Sequence, residues 1–288
     1  MRMNPPRKRS SGDETPDEYI AGGEPGVVVR RSLQNPGGMS EMSNALKAIE
    51  TDREALLALC REMDDSVWAK DSGCPGWTVQ DVVSHMACSF YLAVDMSNLP
   101  DSAGLPAERA ADLYVESRRS MTPAEVVADY DSVSAKGLEL LAAVQTQDVE
   151  VPLGDVGTYH ASIVPTAYAF EHYIHIRYDI FAPDGPLTGE PPASDELRLA
   201  PTLDWIEAAL PQQNSALLDG MDKAVEVRLT GPGARTLRIG SGDVGAHITS
   251  DSAAFVRWTT SRGSWESLGV DAQGDPATLD VVRRLTTF

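Results

Sequence analysis

In the segment "YAFEHYIHIRYDIF", residues 168–181, Glu171 and His175 stand four apart. On a helix they project from one face, one turn separated. Val164, Tyr168, Ile174 and Tyr178 share that face, which directs the pair toward a core. A carboxylate buried beside an imidazole needs a partner, and a metal cation is one that meets the cost. The reading without metal is a plain Glu–His hydrogen bond or a solvated helix edge. His85, at the edge of the apolar stripe Val82, Val83 and Met86, becomes a third ligand if its helix faces the first. Two histidines and a carboxylate with one position left open form a donor set of catalytic zinc sites, whereas one histidine near an apolar face is ordinarily structural. His172 follows Glu171 directly and points about 100° away around the helix. His160 precedes the helix, His247 lies far beyond it, and Cys88 is either a neighbour of the site or a buried inert thiol. Cys74 reads as a loop residue without a role. Asp179, four beyond His175, is placed either to accept from that imidazole, as outer carboxylates do, or to pair with Arg177. Asp81 bears the same relation to His85, in competition with capping.

Four helices have to hold these residues. "SNALKAIETDREALLALCREM" carries helical spacing with Ser43 as N-cap. "GWTVQDVVSHMACSFYLAV" opens with a Thr78/Asp81 capping box and with Trp77 set to staple onto Val82. "MTPAEVVADYDSVSAKGLELLAAV" starts at Thr122, Pro123 and Glu125 and runs to about Val144. The fourth helix spans roughly Pro165 to Phe181, stopped by "APDGP". A shorter stretch, "SDELRLAPTLDWIEAAL", reads as interrupted by Pro201. Short and medium connections make a bundle over residues 41–215. Past residue 222 the period becomes two: "AVEVRLTGPGARTLRIG" is a hairpin, "AHITS" and "SLGVDA" read as strands, and "SAAFVRWTTS" and "DPATLDVVRRL" as helices. The class expected is α+β, with a small α+β lobe over 222–288 after the bundle. Residues 1–40, rich in Pro, Gly, Ser and charge, read as a flexible leader.

The formal charge of −19 argues against nucleic acid or an anionic bilayer as partner, since both are repelled at long range. No apolar run reaches a membrane span, and three cysteines without a secretory signal argue for reduced thiols in a cytoplasmic protein. Oligomeric state is not legible.

"GCPGWTVQDVVSHMA", residues 73–87, resembles the Trp-Thr-Val-x-Asp-x-x-x-His segment of the mycothiol-dependent maleylpyruvate isomerase family, within the DinB-like four-helix superfamily. "FEHYIHIRYDIFAPDGPL" resembles that family's second metal segment, and "LTGPGARTLRIG" with "GDPATLDVVRRL" its sterol-carrier-like lobe. The resemblance covers about residues 43–288. It implies a divalent metal, usually zinc, held by His85, Glu171 and His175, and mycothiol as thiol co-substrate. The chain departs from the family in two places. The aspartate often found three residues after the second histidine stands here at four, as Asp179, and the connection "SNLPDSAGLPAERAADLYVESRRS" has no clear counterpart.

The function expected is that of a metal-dependent enzyme using a low-molecular-weight thiol on a small electrophile. Thiolate attack on a conjugated double bond, rotation and elimination give cis–trans isomerisation; retention of the adduct gives S-transfer. Glu171 serves as anionic ligand, with Tyr168 and Tyr178 as pocket walls or proton donors. The competing readings are a non-catalytic small-ligand carrier and a metal-assisted hydrolase, which thiol-dependence of turnover separates.

Overall fold

Apolar residues at helical spacing, opened by side-chain caps at α1, α3 and α5, build the first half of the fold; the computed structural model describes residues 43–288. The expected leader lies outside the described residues. Helix α1, Asn44–Glu62, begins at Ser43, whose hydroxyl accepts from Leu46 N. A short α2, Asp65–Trp68, precedes α3, Val79–Val94, and both α2 and α4, Ala107–Glu116, add to the expected set. Helix α5, Pro123–Val144, opens with the full Thr122/Glu125 capping box. A small ribbon of β1, Glu150–Pro152, and β2, Thr158–His160, leads into α6, Val164–Ile174.

Here the structure corrects the fourth helix. The α-helix ends at Ile174, and His175–Ile180 form a π-helix. Such widened turns close i→i+5 hydrogen bonds and are frequent at functional sites.

Helices α1, α3, α5 and α6 pack as a bundle around Leu46, Ile49, Leu56, Val82, Met86, Phe90, Tyr130 and Ile176. Gly137 of α5 lets α3 approach: a Cβ there would lie 2.1 Å from the Phe90 ring. Phe90 is fully buried and stacks on Tyr168 at 5.1 Å, so it has nowhere to move. Gly137→Ala is therefore expected to cost about 1–3 kcal/mol despite alanine's better helix propensity, measured as a lowered denaturant midpoint.

Helix α7, Glu196–Gln213, continues through Pro201 rather than breaking at it. A proline inside a helix costs about 3 kcal/mol. Leu199, Leu203, Trp205, Ile206 and Leu210 of the same helix are all buried, at about 1.5–3 kcal/mol each, and outweigh it. These side chains share one core with Val225, Val227, Phe255 and Trp258, so α7 packs on the sheet as well as on α1 and α6.

After a single turn, α8, Ser215–Leu218, come β3, Ala224–Thr230, and β4, Thr236–Ile239, the expected hairpin, with Gly231 and Gly233 at positive φ in its turn. Then follow β5, Val244–Asp251, α9, Ser252–Thr259, β6, Asp271–Gly274, and α10, Pro276–Val282. The sheet order is β4-β3-β5-β6, with β3 and β5 parallel. The last strand starts at Asp271, within the expected "SLGVDA", and runs past it to Gly274, while Leu268 and Val270 pack partly buried against the core. No helix among the described residues is long and apolar enough to cross a membrane.

Candidate metal centre

The capping box of α3 sets the phase of everything after it. Asp81 N donates to Thr78 Oγ1 at 3.2 Å, and Thr78 N donates to Asp81 Oδ2 at 3.0 Å. With the start fixed, Val82, Val83 and Met86 turn inward two turns on, and His85 reaches the seam with α6. Arg119 also donates to Asp81, so that carboxylate is occupied and does not partner His85. The Trp77 ring sits 4.9 Å from that of His85, and its Nε1 donates to Asp112 of α4 at 3.0 Å.

Across the seam, His85 Nε2 lies 3.0 Å from Glu171 Oε1, and the Ser89 hydroxyl donates to the same oxygen. His175 opens the π-helical turn with its ring centroid 5.0 Å from that of His85. One donor atom from each of His85, Glu171 and His175 lies within 4.8 Å of the others. The structure thus brings together the three residues expected from spacing.

His175 Nδ1 is 2.6 Å from Asp179 Oδ2. A carboxylate only accepts, so the proton belongs on Nδ1 and the lone pair on Nε2 is left for a ligand. Asp179 is completely buried and receives Arg262 Nε at 2.9 Å and Nη2 at 2.7 Å, a two-pronged grip from the loop after α9. The π turn accommodates the extra residue that separates His175 from Asp179, and the two side chains still meet. Arg177, the alternative partner for Asp179, turns away to Asp52.

The protonation states suit metal binding. Burial lowers His175 below the ordinary histidine range against the pull of Asp179, and burial likewise lowers His172. For Glu171, burial acts to raise the pKa, but the His85 hydrogen bond and the charges of His85, His175 and His172 outweigh it and hold the carboxyl below its usual range. Asp179 follows the same pattern: burial opposes ionisation, and His175 with Arg262 prevails, holding the group far down. At neutral pH the His175 imidazole is neutral and both carboxylates are charged, as ligation requires.

The same shifts carry a stability prediction. A histidine whose folded pKa is depressed stabilises the fold fully above its unfolded value, near 6.5, and that contribution is lost as pH falls below it. Each of His172 and His175 then contributes up to about 1.4 kcal/mol per pH unit. The melting temperature should drop between pH 7 and pH 5, and His172→Gln should flatten the slope, read by melting curves across a pH series.

A divalent ion fits the trio on two observations. The donor set is one that zinc uses, and its donor atoms all lie within 4.8 Å of one another, the His85 Nε2 facing Glu171 and the His175 Nδ1 engaged by Asp179. A second group, Cys74, His175 and Asp179, is equally compact. There the Arg262 guanidinium already supplies the positive charge, 4.0 Å from Cys74 Sγ and bonded to Asp179, so a second cation would be repelled.

The other candidates fall elsewhere. His172 is fully buried, donating from Nδ1 to Tyr168 O and accepting from Tyr130 at Nε2, both at 2.8 Å. Tyr168 borders the trio through Ser89, to whose carbonyl its hydroxyl donates at 3.2 Å; burial raises its pKa, so it stays protonated. The Tyr178 hydroxyl instead joins Tyr173 at 3.2 Å and Ala253 O at 3.4 Å, in the core shared with the sheet. Cys88 packs with Ala110 and Tyr114, its thiol pushed up to about 12 by burial. His160 and His247 make exposed pairs with Asp148 and Glu226.

Sequence reasoning missed Ser89, Cys74 and Arg262. Cys74 Sγ lies 3.8 Å from His175 Nδ1, and burial raises its thiol well above the ordinary range. For Arg262 the only local signal was turn chemistry in "TTSRGSW": Ser261 has φ 60 and Gly263 φ 155, and this unusual backbone aims the arginine. Beside Arg262 opens a cleft of about 620 Å³, lined among others by Ser72, Pro75, Asp184, Arg257 and Ser267.

Residues 49–181 match the mycothiol maleylpyruvate isomerase N-terminal domain family. Two solved structures share the fold. The crystal structure of the mycothiol-dependent maleylpyruvate isomerase superposes with TM-score 0.54 at 18% identity, over 80% of this chain and 92% of that one. The structure of a mutant of that isomerase gives TM-score 0.53 at 17% identity with the same coverage. No curated protein matches the chain.

Proposed function

We propose, from the match of residues 49–181 to the mycothiol maleylpyruvate isomerase N-terminal domain family, that the chain is a thiol-dependent cis–trans isomerase of small conjugated electrophiles. Mycothiol is the co-substrate, and the chain's setting is the cytoplasmic thiol pool. The observation that carries this reading is the convergence of His85, Glu171 and His175 from two helices on one point, with Asp179 and Arg262 fixing His175 from behind.

His85, Glu171 and His175 would hold a divalent ion, zinc by donor chemistry. Such an ion, when bound, would lower the pKa of a coordinated mycothiol thiol and so make it nucleophilic at neutral pH. Glu171 is fixed by Ser89, which donates to one carboxylate oxygen and restricts its rotation. Asp179 holds the His175 proton on Nδ1, and Arg262 keeps Asp179 ionised. Tyr168, protonated and anchored on Ser89, forms a wall. Tyr178 has no part, since its hydroxyl is turned to Tyr173 and Ala253.

Turnover of maleylpyruvate or a related conjugated keto acid is expected to require added mycothiol and to stop on chelation of the metal. Turnover that proceeds at the same rate without thiol would point to hydrolysis by bound water, and stoichiometric ligand uptake without turnover to a carrier.

A further inference from the structure

We propose that the buried pair of Asp52 on α1 and Arg177 in the π-helical turn is a positioning device that holds the turn in its widened register and so keeps His175 and Asp179 aimed at the centre. Arg177 stands midway between them, two residues from each. Its guanidinium meets Asp52 as a fork, Nη1 to Oδ2 at 2.8 Å and Nη2 to Oδ1 at 2.9 Å. Nη2 also donates to Ala193 O at 2.9 Å, and the guanidinium carbon lies 4.4 Å from the centre of the Tyr173 ring. Arg198 of α7 adds Nε to Asp52 Oδ1 at 2.7 Å. The arginine and the aspartate are both almost wholly buried.

Stability is a poor reason for this arrangement. A buried ion pair is often no better than an apolar pair of similar volume, and here Arg177 Nε is left without a hydrogen-bond partner. Register is a better reason. Had α6 continued as an ordinary α-helix, each residue beyond the turn would take the place of its neighbour, a rotation of about 100°. Arg177 would then leave Asp52, and Asp179, still within reach of His175 at i,i+4, would leave Arg262 and the Gly73 N–H and no longer be held against the ring. Two grips thus act on the turn two residues apart, Asp52 with Arg198 on Arg177 and Arg262 on Asp179. Gly73 adds a third: its N–H donates to Asp179 O at 2.9 Å, and a Cβ there would lie 2.9 Å from Asp179 Cα and from Tyr178 O.

The test replaces the pair by apolar residues, Asp52→Leu with Arg177→Met, in the full chain. The double variant should fold with a melting temperature close to or modestly below wild type, since Arg198 loses Asp52 but keeps Asp195. In the metal-free protein, the ¹⁵N signals of the His175 ring should shift from the Nδ1–H tautomer toward a mixture, and the zinc dissociation constant should rise about 10–100-fold, as on loss of an outer-shell partner. Asp52→Asn and Arg177→Lys, which keep size and lose the charged fork, should move both readouts in the same direction and serve if the double variant does not fold. Variants that fold and retain the wild-type His175 ring signals overturn the proposal. The zinc readout rests on the functional reading above, whereas the ring signals do not. A wild-type chain that takes up no zinc would defeat that reading and leave this one to the ring signals.

Discussion

The His85→Ala protein is expected to fold and to lose both its metal and its activity. His85 is at the edge of the bundle core, partly exposed, and its Nδ1 has no hydrogen-bond partner, so truncation breaks few contacts beyond those with Glu171 and Trp77. An unfolding free energy within about 1 kcal/mol of wild type is anticipated, in the common range for single substitutions. Glu171 keeps its Ser89 donor and some access to water, so its charge remains tolerable. The ion, by contrast, loses one of three ligands. Losing an outer partner typically costs 10–100-fold in affinity, and losing a ligand should cost more than about 100-fold. Metal content after dialysis, with a melting curve as control, reads both effects. A variant that retains stoichiometric metal would remove His85 from the site.

Arg262→Ala should be the most damaging change in the second half of the chain. It removes both guanidinium donors from Asp179, which has no exposure through which water could replace them. Breaking a buried pair from one side costs about 3–5 kcal/mol, because the remaining charge is left uncompensated. Asp179 then escapes by binding a proton, and the nearest is on His175 Nδ1. Either the aspartate is neutralised and no longer orients the ring, or the pair rearranges, and in both cases His175 is a poorer ligand. Zinc affinity should fall together with stability. Arg262→Lys keeps the charge without the fork and should recover part of the stability. Asp179→Leu combined with Arg262→Leu should recover stability without affinity, which separates the two roles. Urea unfolding and zinc competition on the same samples measure them; wild-type values for both in Arg262→Ala would show the grip to be idle.

How much of this was legible depended on whether a feature is local. Ser43, Thr78 with Asp81, and Thr122 with Glu125 cap helices through bonds spanning three residues, and each was readable because its partner lies in the same short segment. Glu171 and His175 were legible for the same reason, one turn apart on one face, and His85 because a capped, amphipathic helix fixes its phase. The π-helical turn was not: the string "HIRYDI" is compatible with an ordinary helix, and what selects the wider turn is Asp52, 125 residues from Arg177. Arg262 was illegible because a loop has no periodicity and its target lies 83 positions away. Pro201 misled because its local cost is visible in sequence while the core that α7 shares with the sheet is not. Tyr178 misled because its place on the face of His175 was read with α-helical geometry, and the π turn carries it to the lobe side.

The most direct test of the centre is metal loading followed by thiol. Purified full-length chain should bind close to one zinc per molecule. The cobalt-substituted protein should gain a thiolate-to-metal absorption band on addition of mycothiol, with the band absent in His85→Ala. A chain that binds no metal, or a cobalt spectrum indifferent to mycothiol, would contradict the account.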